Sequence, residues 1–355
     1  MTEASIEATP RPLAKLSFGE LAGFAEDDHA EAFAVFQRSC APILADRSPL
    51  RQAIAPSAAF KAICRSALAR NLSRAEARRF FETHFRPFRT ICTPAGESEG
   101  FFTGYYEPIV EGSLTRTADF IAPILSRPKD LTSRTPYPDR AAIEAGAIES
   151  QAAPIVWLRD PVEVFLIQVQ GSARVRLADG RLLRLVYSGR NGQSYTSIGR
   201  ILIESGEIDA AEMSLATLKH WVRSHGQKPG EAGAALMQRN KSYVFFALDA
   251  SLEPEAGPVG GAGLSLTPLR SIAIDRALYA YGTPVWIDAA LPWRSKSPTP
   301  LRRLMIAQDT GSAIVGAARA DIFFGSGDDA GARAGVVRHR GDFIVFLPRE
   351  EGLDP

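Results

Sequence analysis

Cysteine is scarce in this chain: its 355 residues hold three, Cys40, Cys64 and Cys92. None belongs to a C-x-x-C pair or to a Cys/His cluster with metal-ligand spacing, which argues against a zinc site, and the length rules out a small scaffold that depends on disulfides. Long apolar runs are missing too. Segments such as Val244 to Leu248 and Val164 to Ile167 fall far short of the roughly 18 to 20 residues that cross a bilayer. The first twenty residues lack the basic start and apolar stretch of a secretory leader. Net charge is nearly absent: 41 Lys and Arg against 40 Asp and Glu leave +1, so no global field favours nucleic acid or an anionic membrane surface. There is no G-x-S-x-G elbow for a serine hydrolase. The five histidines, His29, His84, His220, His225 and His339, are scattered without an H-E-x-x-H pattern. Gly325, Gly327 and Ala330 fit a loose G-x-G-x-x-A pattern, but too little chain follows for a dinucleotide-binding half, and Asp328 would face a pyrophosphate with like charge.

What remains is an ordinary water-soluble composition, 45% hydrophobic and 23% charged, in a chain long enough for two domains. Apolar residues at helical spacing, Phe33, Phe36, Cys40 and Leu44, then Phe60, Ile63, Cys64 and Leu68, predict two helices, and Ser73 with Glu76 forms a capping-box signature ahead of a third. Cys40 and Cys64 fall on the apolar faces of the first two. They are either buried thiols or, in an oxidising compartment, a disulfide.

Beyond residue 85 the pattern predicts strands at Phe88 to Cys92, Phe101 to Tyr106, Val162 to Gln170, Ala173 to Leu177 and Leu182 to Tyr187, with Asp179-Gly180 as a hairpin turn. Two or three helices return between Tyr195 and Gln238. Short strands at Tyr243 to Leu248, Pro284 to Asp288, Leu304 to Asp309, Ala320 to Phe324 and Phe343 to Leu347 then follow, joined by Gly/Pro-rich loops, the pattern of a small barrel. Glu255 to Gly263 reads as a glycine-rich surface loop.

Carboxylates inside β segments are the informative feature, because they are costly near a core unless paired, hydrogen-bonded or used. Asp275 ends SIAID, Asp309 ends LMIAQD, and Asp321 lies in RADIFFG. Each could simply cap a turn. A partly buried Asp beside Phe323-Phe324 also suits the protonated acid that glycosidic cleavage needs. Thr103, Gly104, Tyr105 and Tyr106 form a polar aromatic segment that either edges a core or stacks on sugars. Gln168, Gln170 and Ser172 alternate with apolar residues, and Tyr187, Asn191, Tyr195 and Ser197 lie in a polar loop leading into a helix.

Taken in order, FFTGYYEP, VFLIQVQGSARVRLADGR, YSGRNGQSYTSIGR, NKSYVFF, GPVGGAGLSLTPLRSIAID and LMIAQDTGSAIVGAARADIFFGSGDDAG resemble the membrane-bound lytic transglycosylase A family, from about Leu16 to Pro348, with a three-aspartate domain in the later part. The resemblance implies an α+β, mainly β fold with N-terminal helices. A double-psi β-barrel would be assembled from residues 1–110 and 240–355, with a smaller β-barrel domain, 111–239, inserted and a glycan groove between them. It implies non-hydrolytic cleavage of the β-1,4 bond between N-acetylmuramic acid and N-acetylglucosamine in peptidoglycan, leaving a 1,6-anhydro end.

By motif position the resemblance implies that Asp321 is the general acid/base, its pKa expected to be raised by burial and like charge. On the same resemblance Asp309 is expected to support it and Asp275 to be structural. Thr103, Gly104, Tyr105, Tyr106, Gln170, Gly171 and Ser172 are carried over as sugar contacts, with Tyr187 and Ser197 as further candidates. No metal or organic cofactor is implied. The implied partner is the glycan strand, without nucleic acid or a transmembrane segment. A place in cell-wall enzyme complexes stays open, and the chain is expected to be a monomer. Family members are exported and often lipid-anchored, so a periplasmic, outer-membrane-associated place is inherited, although no leader or lipid-attachment Cys is visible. Two other readings stay open: a hydrolytic muramidase using a water and a second carboxylate, and a non-catalytic peptidoglycan-binding module.

Overall fold

A computed structural model describes residues 13–91, 99–132, 137–249, 256–295 and 297–349. Cys92 and Glu255 lie outside the described residues. In chain order the regular elements are β1 (Leu13–Lys15), α1 (His29–Leu44), α2 (Ala58–Ala67), α3 (Arg74–His84), β2 (Phe85–Thr90), β3 (Glu99–Glu107), β4 (Ile109–Ser113), β5 (Ala122–Leu125), α4 (Arg140–Glu144), β6 (Pro154–Leu158), α5 (Pro161–Gln170) and β7 (Ala173–Arg176). They continue with β8 (Leu182–Arg190), α6 (Ile198–Glu204), α7 (Leu215–Ser224), α8 (Ala232–Gln238), β9 (Val244–Leu248), β10 (Ser271–Ile274), β11 (Pro284–Leu291), β12 (Thr299–Asp309), β13 (Arg319–Ser326), α9 (Asp328–Ala334) and β14 (Arg338–Pro348). The chain divides into two compact units, one of residues 1–105, 259–325 and 337–355, the other of residues 106–258 and 326–336.

In the first unit the strand order is β1-β2-β14-β11-β12-β10-β13-β3, and a further β14–β3 pairing closes the last six into a barrel, with β2 and β1 added outside. The pair β10–β12 is parallel, while β10–β13 is antiparallel. The expected helices cover this barrel. Asp28 caps α1 by accepting from the amides of Ala30 and Glu31, Ser57 caps α2, and Ser73 with Glu76 closes the expected capping box on α3. Their phenylalanines, Phe33, Phe36, Phe60, Phe80 and Phe81, share one core with the barrel residues Trp286, Leu304, Ile306 and Phe346. Each such side chain contributes about 1.5 to 3 kcal/mol on burial. Cys40 and Cys64 form a disulfide joining α1 to α2. Arg270, fully buried on the barrel, donates to both carboxylate oxygens of Asp27 at 2.8 Å, so the buried charge is paired where the helical layer begins.

The second unit holds a sheet of order β5-β6-β4-β7-β8-β9, and a bridge between Ser126 and Phe246 links its two ends. Asp179-Gly180 does turn β7 into β8, with Gly180 at φ 86°. The strand Val244–Leu248 pairs with β8, so this unit reaches further along the chain than the expected 111–239.

Two expectations are overturned. Val162 to Gln170 is not a strand but the helix α5, started by Asp160, which accepts from the Glu163 amide, with Pro161 in its first turn, and stopped by Gly171 at φ 83°. Its helical period is masked because it is apolar on two faces: Val162, Phe165 and Leu166 enter one core, Val164 and Ile167 another. The alternation of Gln168 and Gln170 therefore does not define a strand face. The glycine-rich loop is not at the surface throughout either, since Gly260 and Gly261 are buried. A Cβ on Gly260 would come within 2.7 Å of the Gln308 carbonyl oxygen, so only glycine fits this approach.

Candidate active site

Register brings the two central aspartates to one place in the barrel. Ala273 on β10 pairs with Asp321 of β13 on one side and with Asp309 of β12 on the other, so both carboxylates flank a single residue of the shared strand. A register shift between Ile272 and Ala273 accompanies the Asp309 pairing. β3, on the far side of β13, carries Thr103 and Tyr105 two positions apart and therefore on one face.

The Thr103 hydroxyl donates to Asp321 Oδ1 at 2.5 Å, and the Tyr105 hydroxyl donates to Asp309 Oδ2 at 2.9 Å. Tyr105 is held by packing on Phe323, with ring centroids 5.4 Å apart. The Thr103 hydroxyl in turn accepts from Arg319 Nη2 at 2.7 Å, and the same guanidinium lies 5.2 Å over the Phe101 ring.

The two carboxylates are held differently. Asp309 uses both oxygens: Oδ1 accepts from the amides of Gly261 at 2.7 Å and Thr310 at 2.8 Å, and Oδ2 accepts from Tyr105. Asp321 has Thr103 on Oδ1, and among the described residues nothing bonds Oδ2. Burial pushes the Asp321 carboxyl above the ordinary range. The Arg319 charge and the Thr103 hydrogen bond oppose this, and the Asp309 charge adds to it. Burial likewise raises Asp309, against the Arg51 charge, the two amides and Tyr105. The Tyr105 phenol is raised well above its usual value by burial and then by Asp309, so it stays a hydrogen-bond donor at any physiological pH.

Asp275 makes different contacts from this pair. Its oxygens accept from the amides of Ala277 at 3.0 Å and Gly316 at 2.8 Å. Gly104 lies between Thr103 and Tyr105 on β3.

The other candidates fall in the second unit. Tyr106 is mostly buried, its phenol pushed up to about 12 chiefly by burial, and its amide donates to Gln170 Oε1 at 3.1 Å. Gly171 ends α5 with open space where a Cβ would stand, and Ser172 beside it is buried. Tyr187 packs against the sheet core, Ser197 caps α6, and Asn191 holds its own loop through the carbonyls of Pro138 and Lys241. Gly261, Thr310, Arg319 and Arg51 were not found from the sequence. Only Arg319 left a signal, standing two positions before Asp321 on the same strand. Among the described residues no group of three or more His, Cys, Asp or Glu could hold a metal, and no helix is long and apolar enough to cross a membrane.

The fold and site define a two-unit β protein whose barrel presents paired aspartates. Residues 101–247 match the MltA specific insert domain and residues 270–347 the 3D domain. A membrane-bound lytic murein transglycosylase structure from Agrobacterium tumefaciens is 33% identical with a TM-score of 0.80, covering 95% of this chain and 98% of that one. Escherichia coli MltA with bound chitohexaose is 26% identical with a TM-score of 0.70, covering 97% and 96%. Membrane-bound lytic murein transglycosylase A of Escherichia coli K12 is 35% identical over 251 residues, 69% of this chain and 65% of that relative's length. The chain belongs to the membrane-bound lytic transglycosylase A family.

Proposed function

We propose that this protein is a peptidoglycan lytic transglycosylase that cleaves the bond between N-acetylmuramic acid and N-acetylglucosamine without water, leaving a 1,6-anhydro end. The observation that carries the reading is the inequality of the two aspartates. Asp321, raised in pKa and with Oδ2 unbonded among the described residues, is the general acid that protonates the glycosidic oxygen. As the leaving group departs, its carboxylate takes the proton from the muramic C6 hydroxyl, whose oxygen closes on C1. One carboxyl group therefore serves both halves of the reaction. Asp309, with every oxygen engaged by donors, is the fixed negative charge that favours the protonated form of Asp321. Those same bonds disfavour Asp309 as a base for water, which speaks for the anhydro product over hydrolysis.

Glycan binding is supported by the relative that holds chitohexaose. In this reading Gly104, Tyr105, Tyr106, Gln170, Gly171 and Ser172 meet the sugar, with Tyr187 and Ser197 as weaker contacts. Thr103 acts chiefly on Asp321. The membrane-bound description of the relatives supports a place in the cell envelope, and a periplasmic position is part of the same proposal.

The test is mass spectrometry of muropeptides released from purified sacculi by wild type and by Asp321→Asn, with circular dichroism of both. Anhydro products from wild type and none from a folded Asp321→Asn are expected. Products heavier by a water, about 18 Da as bond hydrolysis requires, would make the protein a muramidase. Retention on sacculi without release by wild type would make it a binding module.

A further inference from the structure

The loop between α1 and α2 is tied to the candidate site through Arg51. The Arg51 amide donates to the Gly261 carbonyl at 3.0 Å, and Arg51 Nη1 donates to the Thr310 carbonyl at 3.1 Å. Gly261 and Thr310 are the two residues whose amides hold Asp309 Oδ1. One arginine thus bonds the carbonyls of the same two residues whose amides form the carboxylate's cradle, each carbonyl lying in the peptide unit next to the donating amide. We propose that Arg51 is a positioning residue for Asp309, fixing its two amide donors and supplying the positive charge that keeps Asp309 ionised while Asp321 carries the proton.

Three further contacts keep the arginine in place. Ile54 donates its amide to the Arg276 carbonyl at 3.0 Å, Arg276 Nη1 donates to the Gln52 carbonyl at 2.7 Å, and the Cys40–Cys64 disulfide joins the helices at the loop's two ends. Rigid support of this kind is what a positioning role needs. The charged and titratable groups acting at Asp309 are Arg51 from this loop, Tyr105 from β3, Asp321 from β13 and Tyr281, which follows β10. Arg51 is the cation among the groups that bear directly on Asp309, and its charge lowers the Asp309 pKa against the dominant effect of burial. Removing it therefore lets Asp309 take up a proton at a higher pH. Asp321 then loses the like charge that holds its own proton, and the acidic limb of the pH–rate profile moves upward.

The inference rests on the transglycosylase reading, and the experiment separates the two. Anhydro-muropeptide release is measured across pH for wild type, Arg51→Met, Arg51→Lys and Asp321→Asn, with kcat and KM resolved and folding checked by circular dichroism. Arg51→Met is expected to lower kcat about tenfold or more, as loss of a charge-assisted bond implies, with KM little changed and the acidic limb moved to higher pH. Arg51→Lys restores the limb, because the charge returns. If Arg51→Met does not fold, Arg51→Gln, which keeps a donor but no charge, must show the same limb shift. A folded neutral variant with the wild-type limb overturns the proposal, as does a fall in kcat that Lys does not relieve. Anhydro release by Asp321→Asn would instead overturn the underlying reading, whatever Arg51 does.

Discussion

The disulfide between Cys40 and Cys64 closes a loop of sequence separation 24, and both sulfurs are fully buried. On the chain-entropy account a loop of that size removes about 11.6 cal/mol/K from the unfolded chain, or about 3.5 kcal/mol at 25 °C. With a urea slope of about 2 to 3 kcal/mol/M, losing the cross-link lowers the unfolding midpoint of the helical layer by roughly 1 to 2 M. Trp286 reports on this directly, because it is buried in the same core as the two cysteines. The clean comparison is oxidised wild type against wild type refolded under a reductant, since both keep the two sulfurs and differ only in the bond. A Cys40→Ala/Cys64→Ala variant then adds the packing loss on top and should be indifferent to reductant. Coincident midpoints for the oxidised and reduced wild type would refute the reasoning: either the bond does not form in the native protein, or the unfolded segment stays too compact for its closure to matter.

Two more outcomes follow from the site. Gly261→Ala places a methyl 2.5 Å from Tyr281 Oη and 3.2 Å from Thr310 Cγ2, an overpacking worth about 1 to 3 kcal/mol that falls on the amide donor of Asp309. Glycan release should drop at least tenfold in a protein that still folds, as loss of a donor to a charged carboxylate implies, and unchanged kcat would show that this amide is dispensable. Asp321→Asn should be more stable than wild type at neutral pH. Burial raises the folded-state pKa of Asp321, so the stability tied to its protonated form is complete below the unfolded value and is lost as pH rises through the folded one. Urea midpoints of the two proteins at pH 3 and pH 7.5 should therefore separate only at the higher pH, and a gap that is equal at both contradicts a raised pKa.

Local signals carried the helices and most strands, because capping residues and the Asp179-Gly180 turn act over a few positions. The sequence misled where an element is apolar on more than one face. The helix α5 feeds two cores, so its period vanished and Gln168 and Gln170 looked like a strand face. It was silent where function depends on backbone. Gly260 and Gly261 looked like loop filler, yet they are glycine because the chain passes against Gln308, Asp309 and Tyr281 too closely for a Cβ. Arg51 could not be found by any spacing argument, since its partners Gly261 and Thr310 are used through their carbonyl groups, which every residue has.

In the proposed reading, the division of labour between the aspartates depends on barrel closure as well as on either motif. Asp309 and Asp321 lie on strands that flank β10, which by itself would make two neighbouring carboxylates with similar surroundings. Beyond the local amides of Gly261 and Thr310 on Asp309, their different partners come from chain more than two hundred residues earlier: Tyr105 for Asp309, Thr103 for Asp321, both on β3, which completes the ring between β13 and β14. An unclosed barrel would leave Asp321 without its hydroxyl partner and Asp309 without its phenol. In the proposed reading the acid is therefore completed only when strands more than two hundred residues apart have paired. Substitutions that loosen β14 against β3 at Arg338–Thr103 or Arg340–Phe101 should cost activity before they cost the fold.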